Sequence, residues 1–183
     1  MSPAAVPPAA GLPAVGPSAV AGPPTVAAVH AAGRAPAHGF AKDARPAVAL
    51  EPGSGVAGDR HAGRELREVH LVDLARYDLL RAGGADVGPG HLGENVTTTG
   101  VDLLALGAGA LLRLGPTALV RVTGVRYPRH DDPATDPVGV SLDEDGVPVG
   151  RVGVFAVVER AGEVTAGDPV VVEHPGDGPL PPL

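Results

Sequence analysis

Three polar clusters interrupt an otherwise apolar chain, and each carries residue types able to do chemistry. The first is Asp59-Arg60-His61 with His70 beyond it, the second runs from Glu94 and Asn95 to Thr99, and the third runs from Arg126-Tyr127-Pro128 through Arg129, His130 and Asp131 to Asp132. In the third, a guanidinium placed just after a strand, with a proline fixing the backbone beside it, can pair an anionic ligand through two parallel hydrogen bonds. A solvated turn is the bland alternative. His61, His70 and His130 with Asp59, Asp131 or Asp132 offer nitrogen and oxygen donors that suit zinc or iron, but no pair has the one-turn helical spacing that makes such sites recognisable. Ser54 and Ser141 lack the strand-turn-helix context of a hydrolase nucleophile.

The second cluster lies within the stretch from Gly90 to Gly100, where glycines at 90, 93 and 100 free the backbone for turns and Glu94, Asn95 and the threonines offer donors and acceptors. It reads either as a solvated link into a strand or as the lining of a site.

The elements that must position these clusters are mostly short strands. Pro46 to Leu50 suits a first strand, and Glu68 to Val72 alternates polar and apolar residues in a strand-like way. Asp73 is then placed to cap a helix through Arg81, with Leu74, Tyr77 and Leu80 inward and Gly83 ending it. Ala110 to Gly115 and Ala118 to Thr123 form a hairpin around Gly115-Pro116-Thr117, and Val170 to Glu173 is a further strand. Gly153 to Val158 reads as a strand or a short helix. The glycines from Gly53 to Gly58 have the spacing of a dinucleotide-binding loop, but Asp59-Arg60-His61 follows where a helix would have to start, which excludes that reading.

Close-set strands with Gly/Pro turns and one helix predict a mainly β fold, a closed or nearly closed β-barrel with one or a few short helices. Residues 1–36 are Ala, Pro, Val and Gly with almost nothing polar and are expected to be a disordered leader. The prolines at 3, 7, 8, 13, 17, 23, 24 and 36 would break any helix there, so neither a membrane span nor a signal segment is expected, and the expected location is cytoplasmic. Residues 37–174 form the expected barrel domain, and residues 175–183 a disordered tail.

Composition narrows the function. Of 183 residues 44% are hydrophobic and only 2% aromatic, so Val, Leu and Ala must fill one core. The net charge of −7 and the absence of a basic block exclude a nucleic-acid surface. There is no cysteine, which excludes disulfides, thiolate metal sites and cysteine nucleophiles. Lys42 is the only lysine among 14 basic residues, an arginine bias of the kind GC-rich coding produces.

The order of the motifs, Gly58-Asp59-Arg60-His61-Ala62-Gly63, Val69-His70-Leu71, Gly93-Glu94-Asn95 with Thr97 to Gly100, Arg126-Tyr127-Pro128, and Gly167-Asp168-Pro169, resembles a MOSC domain. This is the module named after the C-terminal part of molybdenum cofactor sulfurases, and the likeness to small stand-alone bacterial members covers roughly His38 to Glu173. The resemblance implies a β-barrel of the pyruvate-kinase-insert type and a role in molybdenum cofactor binding or sulfur transfer, with pyridoxal phosphate entering only through a partner cysteine desulfurase. A molybdoenzyme is the other partner it implies, and the family also includes reductases of N-hydroxylated compounds.

The family's pivotal cysteine follows the Arg-x-Pro element, where this chain has Arg129. A guanidinium can neither carry a persulfide nor ligate a metal as a thiolate, so the catalytic residue is undefined and persulfide carriage is expected to be impaired. Asp59, His61, Glu94, Asn95 and Arg126 match the family's pocket positions and are the expected binding residues for a small anionic ligand. The link from Gly63 to Glu68 is short where close relatives carry a longer basic insertion. The alternative is a non-catalytic scaffold or interaction module of the same fold.

Overall fold

The computed structural model describes residues 22–31, 41–82, 86–127, 141–142, 148–149 and 151–183. Its strands are β1 (Thr25–Ala31), β2 (Asp43–Arg45), β3 (Ala47–Glu51), β4 (Gly55–Val56) and β5 (Val69–Asp73), followed by helix α1 (Leu74–Ala82) and β6 (Val96–Thr99). After a 3-10 turn at Leu103–Ala105 come β7 (Leu111–Leu114), β8 (Ala118–Arg126), β9 (Ser141–Leu142), β10 (Pro148–Val149), β11 (Gly153–Arg160), β12 (Gly162–Thr165) and β13 (Val170–His174). The fold is mainly β, with one α-helix among the described residues.

Eight strands form one sheet in the order β13-β7-β8-β11-β5-β6-β1-β2, and β12-β3-β4 form a smaller one. The ladder does not run continuously round a barrel, since it ends on β13 and β2. The chain nonetheless meets itself where Val26 N–H donates to Asp168 O (2.8 Å), Gly167 N–H to Val26 O (2.8 Å) and Val170 N–H to Pro24 O (2.9 Å). Gly153 to Val158, open between strand and helix in the sequence, is strand β11, paired with both β8 and β5.

The helix has a topological reason to exist. Among the described strands of the large sheet β5 and β6 alone pair in parallel, and a parallel neighbour is reached only through a crossover, which α1 provides. Asp73 starts it as expected, its Oδ1 accepting from Ala75 N–H at 2.8 Å. Tyr77 and Leu80 bury with Val72, Val87, Leu92 and Val152, while the main core gathers Val26, Leu71, Val96, Leu112, Val120 and Val154. Gly83 lies outside the described residues.

Both chain ends depart from expectation. Residues 25–31, assigned above to a disordered leader, are strand β1, because β6 leaves one edge open beyond β5 and Val26 and Val29 bury completely on it. The expected disordered tail is also ordered in part: Val125 N–H donates to Pro181 O (2.8 Å) and Leu183 N–H to Val125 O (3.1 Å). β8 outruns β7 there, and its unpaired edge groups need partners. Among the described residues no helix is long and apolar enough to cross a membrane.

Candidate functional site

Strand ends and turns converge on a cavity of about 190 Å³. β5 delivers His70, β8 ends on Arg126, β11 contributes Phe155, and the turn after β4 presents Asp59 and His61. Leu92, Gly93 and Asn95 come from the approach to β6, Lys42 from just before β2, and Arg64, Arg67 and Glu68 from the link into β5.

Asp59 is the hub. Its side chain is 3% exposed, and its Oδ2 lies 2.9 Å from Lys42 Nζ, itself 5% exposed. The same oxygen accepts from Asn95 Nδ2 at 3.0 Å, while Oδ1 accepts from His61 N–H at 2.7 Å and faces His61 Nδ1 at 3.4 Å. Asn95 in turn spends its amide on the framework: Oδ1 accepts from His70 N–H (3.1 Å), and its backbone joins His30 N–H (2.8 Å) to one side and His70 O (2.8 Å) to the other. It shapes the pocket wall by stitching β1 to β5.

The lining is cationic. Lys42, Arg64, Arg67 and Arg126 face two carboxylates, Asp59 and Glu68, and Glu68 already uses Oε2 to accept from Val158 N–H at 2.8 Å. Arg126 is 8% exposed. Arg67 lies over the Phe155 ring, 5.5 Å from its centroid, and the His70 ring packs against the same phenyl at 5.1 Å. Burial, and then the Lys42 ammonium, hold the His61 imidazole below its ordinary pKa. Burial first and the Arg126 charge second push His70 well below its own. Its Nε2 is buried with no hydrogen-bond partner among the described residues.

Of the five expected binding residues, Asp59, His61, Asn95 and Arg126 come together here, and Glu94 does not. Glu94 is 0% exposed and turned to the far side of the loop, where Oε1 accepts from the Tyr77 hydroxyl, Gly90 N–H (2.6 Å) and Thr97 Oγ1 (2.9 Å). Its neighbour Asn95 faces the cavity, and successive residues entering a strand point to opposite sides. Burial, and then the Glu94 charge, raise the Tyr77 phenol far above its usual range. Arg129, at the expected cysteine position, lies outside the described residues, as do His130, Asp131 and Asp132. Among the described residues no three His, Asp or Glu side chains gather as a metal site.

Lys42, Arg64, Arg67, Glu68 and Phe155 were missed as lining residues. Being the single lysine was the one signal Lys42 offered. Arg64 and Arg67 sit on the short link from Gly63 to Glu68, so that link itself supplies a basic wall to the cavity.

The buried histidines make stability acid-sensitive. His30, 2% exposed, and His70 both have folded pKa values below the ordinary 6.5, chiefly through burial. Between the folded and unfolded values the unfolded chain binds more protons, so stability is full above about pH 6.5 and falls on acidification, by about 1.4 kcal/mol per pH unit for each histidine. Urea midpoints measured from pH 7.5 to 5 are expected to fall, and His70→Gln is expected to flatten the slope; an unchanged slope would remove His70 from this account.

A family model described as the MOSC domain matches residues 58–171. A search of curated proteins finds no match. Among solved structures, the chain resembles YiiM from Geobacillus stearothermophilus at 20% identity and a TM-score of 0.61, covering 86% of this chain and 79% of that one. It resembles the YuaD protein from Bacillus subtilis at 20% identity and a TM-score of 0.62, over 80% of this chain and 93% of that one. YiiM from Escherichia coli matches at 19% identity and a TM-score of 0.56, over 85% of this chain and 73% of that one. At these identities the likeness establishes a shared fold.

Proposed function

The chain belongs to the MOSC domain family, and from that premise we propose that its pocket binds a phosphate-bearing anion of the molybdenum cofactor class. The observation that carries this reading is the sign of the lining: Lys42, Arg64, Arg67 and Arg126 outnumber Asp59 and Glu68 in a protein whose net charge is −7. Arginine presents parallel N–H donors that match phosphate oxygens, and a buried guanidinium such as Arg126 acts where water screens it least.

The residues fit the anionic end of such a cofactor. Lys42 and the three arginines would hold its phosphate. When bound, the cofactor supplies a redox-active molybdenum; this chain's residues bind it, orient it and keep water from its anionic end. With no cysteine in the chain, a persulfide cannot form on it, so the role is holding rather than sulfur carriage. A cysteine desulfurase or a molybdoenzyme is the partner class this role implies.

The test is to purify the full chain from a host that makes molybdenum cofactor and to assay oxidised-pterin fluorescence and molybdenum after denaturation. Arg126→Ala is expected to lower both by about 10- to 100-fold, the equivalent of losing a charged hydrogen bond of about 1.5–3 kcal/mol. Circular dichroism checks that the variant remains folded. Absence of both pterin and molybdenum from the parent protein, with no rise in melting temperature on adding inorganic phosphate, would refute the reading.

A further inference from the structure

Lys42 is the only lysine in the chain, and its ammonium is held more tightly than a surface charge requires. Its backbone N–H donates to Gly90 O at 2.9 Å, and its carbonyl oxygen would lie 2.5 Å from any Cβ at residue 90, where φ is +90°. Only glycine lets these segments close on each other. The clamp sends the side chain inward, 5% exposed, to place Nζ 2.9 Å from Asp59 Oδ2 on the cavity wall shared with Arg64, Arg67 and Arg126.

We propose that Lys42 is a covalent capture site for small anionic carbonyl compounds, its amine forming an imine with a carbonyl carbon whose carboxylate or phosphate is held by the neighbouring guanidiniums. The inference rests on the anion-binding character proposed above and is independent of which anion the pocket takes. A lone amine beside a carboxylate, within a ring of fixed positive charge, has what this reaction needs: a nucleophile, a proton carrier and an anchor.

The step balances within the site. Nζ gives one proton to Asp59 Oδ2, and the neutral amine adds to the carbonyl carbon as the C=O π bond breaks. The carbonyl oxygen takes a proton from the nitrogen, giving a carbinolamine. The nitrogen lone pair then expels the hydroxyl, which leaves as water with the proton Asp59 returns. An ammonium and a carbonyl become a protonated imine and water, and nothing is oxidised or reduced. Burial holds the Lys42 pKa below its ordinary value against the opposing pull of Asp59, which increases the share of neutral amine.

The test uses the full chain with two anionic probes, pyruvate for a carboxylate and glyceraldehyde 3-phosphate for a phosphate. Methyl pyruvate and glyceraldehyde are their neutral counterparts. Each is trapped with borohydride and the adduct located by peptide mass spectrometry. Lys42 is expected to be labelled by at least one anionic probe about tenfold or more faster than by its neutral counterpart, since focusing by a charged cleft is worth about 10- to 1,000-fold. Lys42→Arg keeps the charge opposite Asp59, so the variant is expected to fold and lose the internal label.

No adduct at Lys42 with either anionic probe, equal rates for anionic and neutral probes, or undiminished internal labelling of Lys42→Arg would each overturn the proposal. A melting-temperature titration with inorganic phosphate separates the two readings. Stabilisation without an adduct leaves the anion pocket standing and removes the capture reaction, while neither stabilisation nor an adduct removes both.

Discussion

Replacing Asp59 with alanine is expected to lower the unfolding free energy by about 3–5 kcal/mol, the range for stripping one partner from a buried ion pair. The Lys42 side chain is 5% exposed, and its ammonium would be left in the interior without the carboxylate 2.9 Å away. Asn95 Nδ2 and His61 N–H would lose the acceptor they share, each at a further cost. Urea denaturation of Asp59→Ala measures the loss. The double variant Lys42→Met with Asp59→Leu is expected to recover most of it, because removing both charges also removes the cost of desolvating them. A loss below about 1 kcal/mol for the single variant would mean that the pair is solvated, with the worth of a surface salt bridge.

Glu94→Ala is expected to cost a similar amount, about 3–5 kcal/mol, through a different mechanism. One carboxylate oxygen accepts from the Tyr77 hydroxyl, Gly90 N–H and Thr97 Oγ1, tying helix α1 to the loop before β6 and to β6 itself. Each donor left buried and unpaired costs about 1–3 kcal/mol. Glu94→Gln keeps the shape and an acceptor and is expected to cost less than half as much. Because Glu94 does not line the cavity, folded Glu94→Ala is expected to bind inorganic phosphate far better than Arg126→Ala does. If Glu94→Ala instead melts like the parent but loses phosphate binding, Glu94 is a ligand residue and its structural role is wrong.

Glu94 shows how far sequence reading reached. The residues of the Gly90 to Gly100 stretch left it open between a solvated link and a site lining, and the resemblance to the MOSC domain made it a pocket wall. Whether Glu94 or Asn95 faces the cavity depends on the parity of the turn into β6, which three-dimensional packing sets. The leader failed for a related reason. The run Thr-Val-Ala-Ala-Val-His-Ala from Thr25 to Ala31 is short and follows a proline-rich segment, and the partner edge that makes it a strand, β6, lies far along the chain.

The sequence by itself determined the mainly β class, the capped helix, the strands on either side of Gly115, the motif order of the MOSC domain and the absence of any thiol chemistry. Each is written in local pattern or in composition, which short-range physics can read, whereas the strand from Gly153 was decided by its pairing with β5 and β8. Tertiary structure alone decided that Lys42 joins Asp59, that Arg64, Arg67 and Phe155 complete the pocket, and that Glu94 turns away from it. Those facts depend on contacts such as Asn95 Nδ2 to His30 O, 65 residues apart in the chain. A buried polar group takes whatever partner the fold brings within hydrogen-bonding distance, and no local pattern records which one that is.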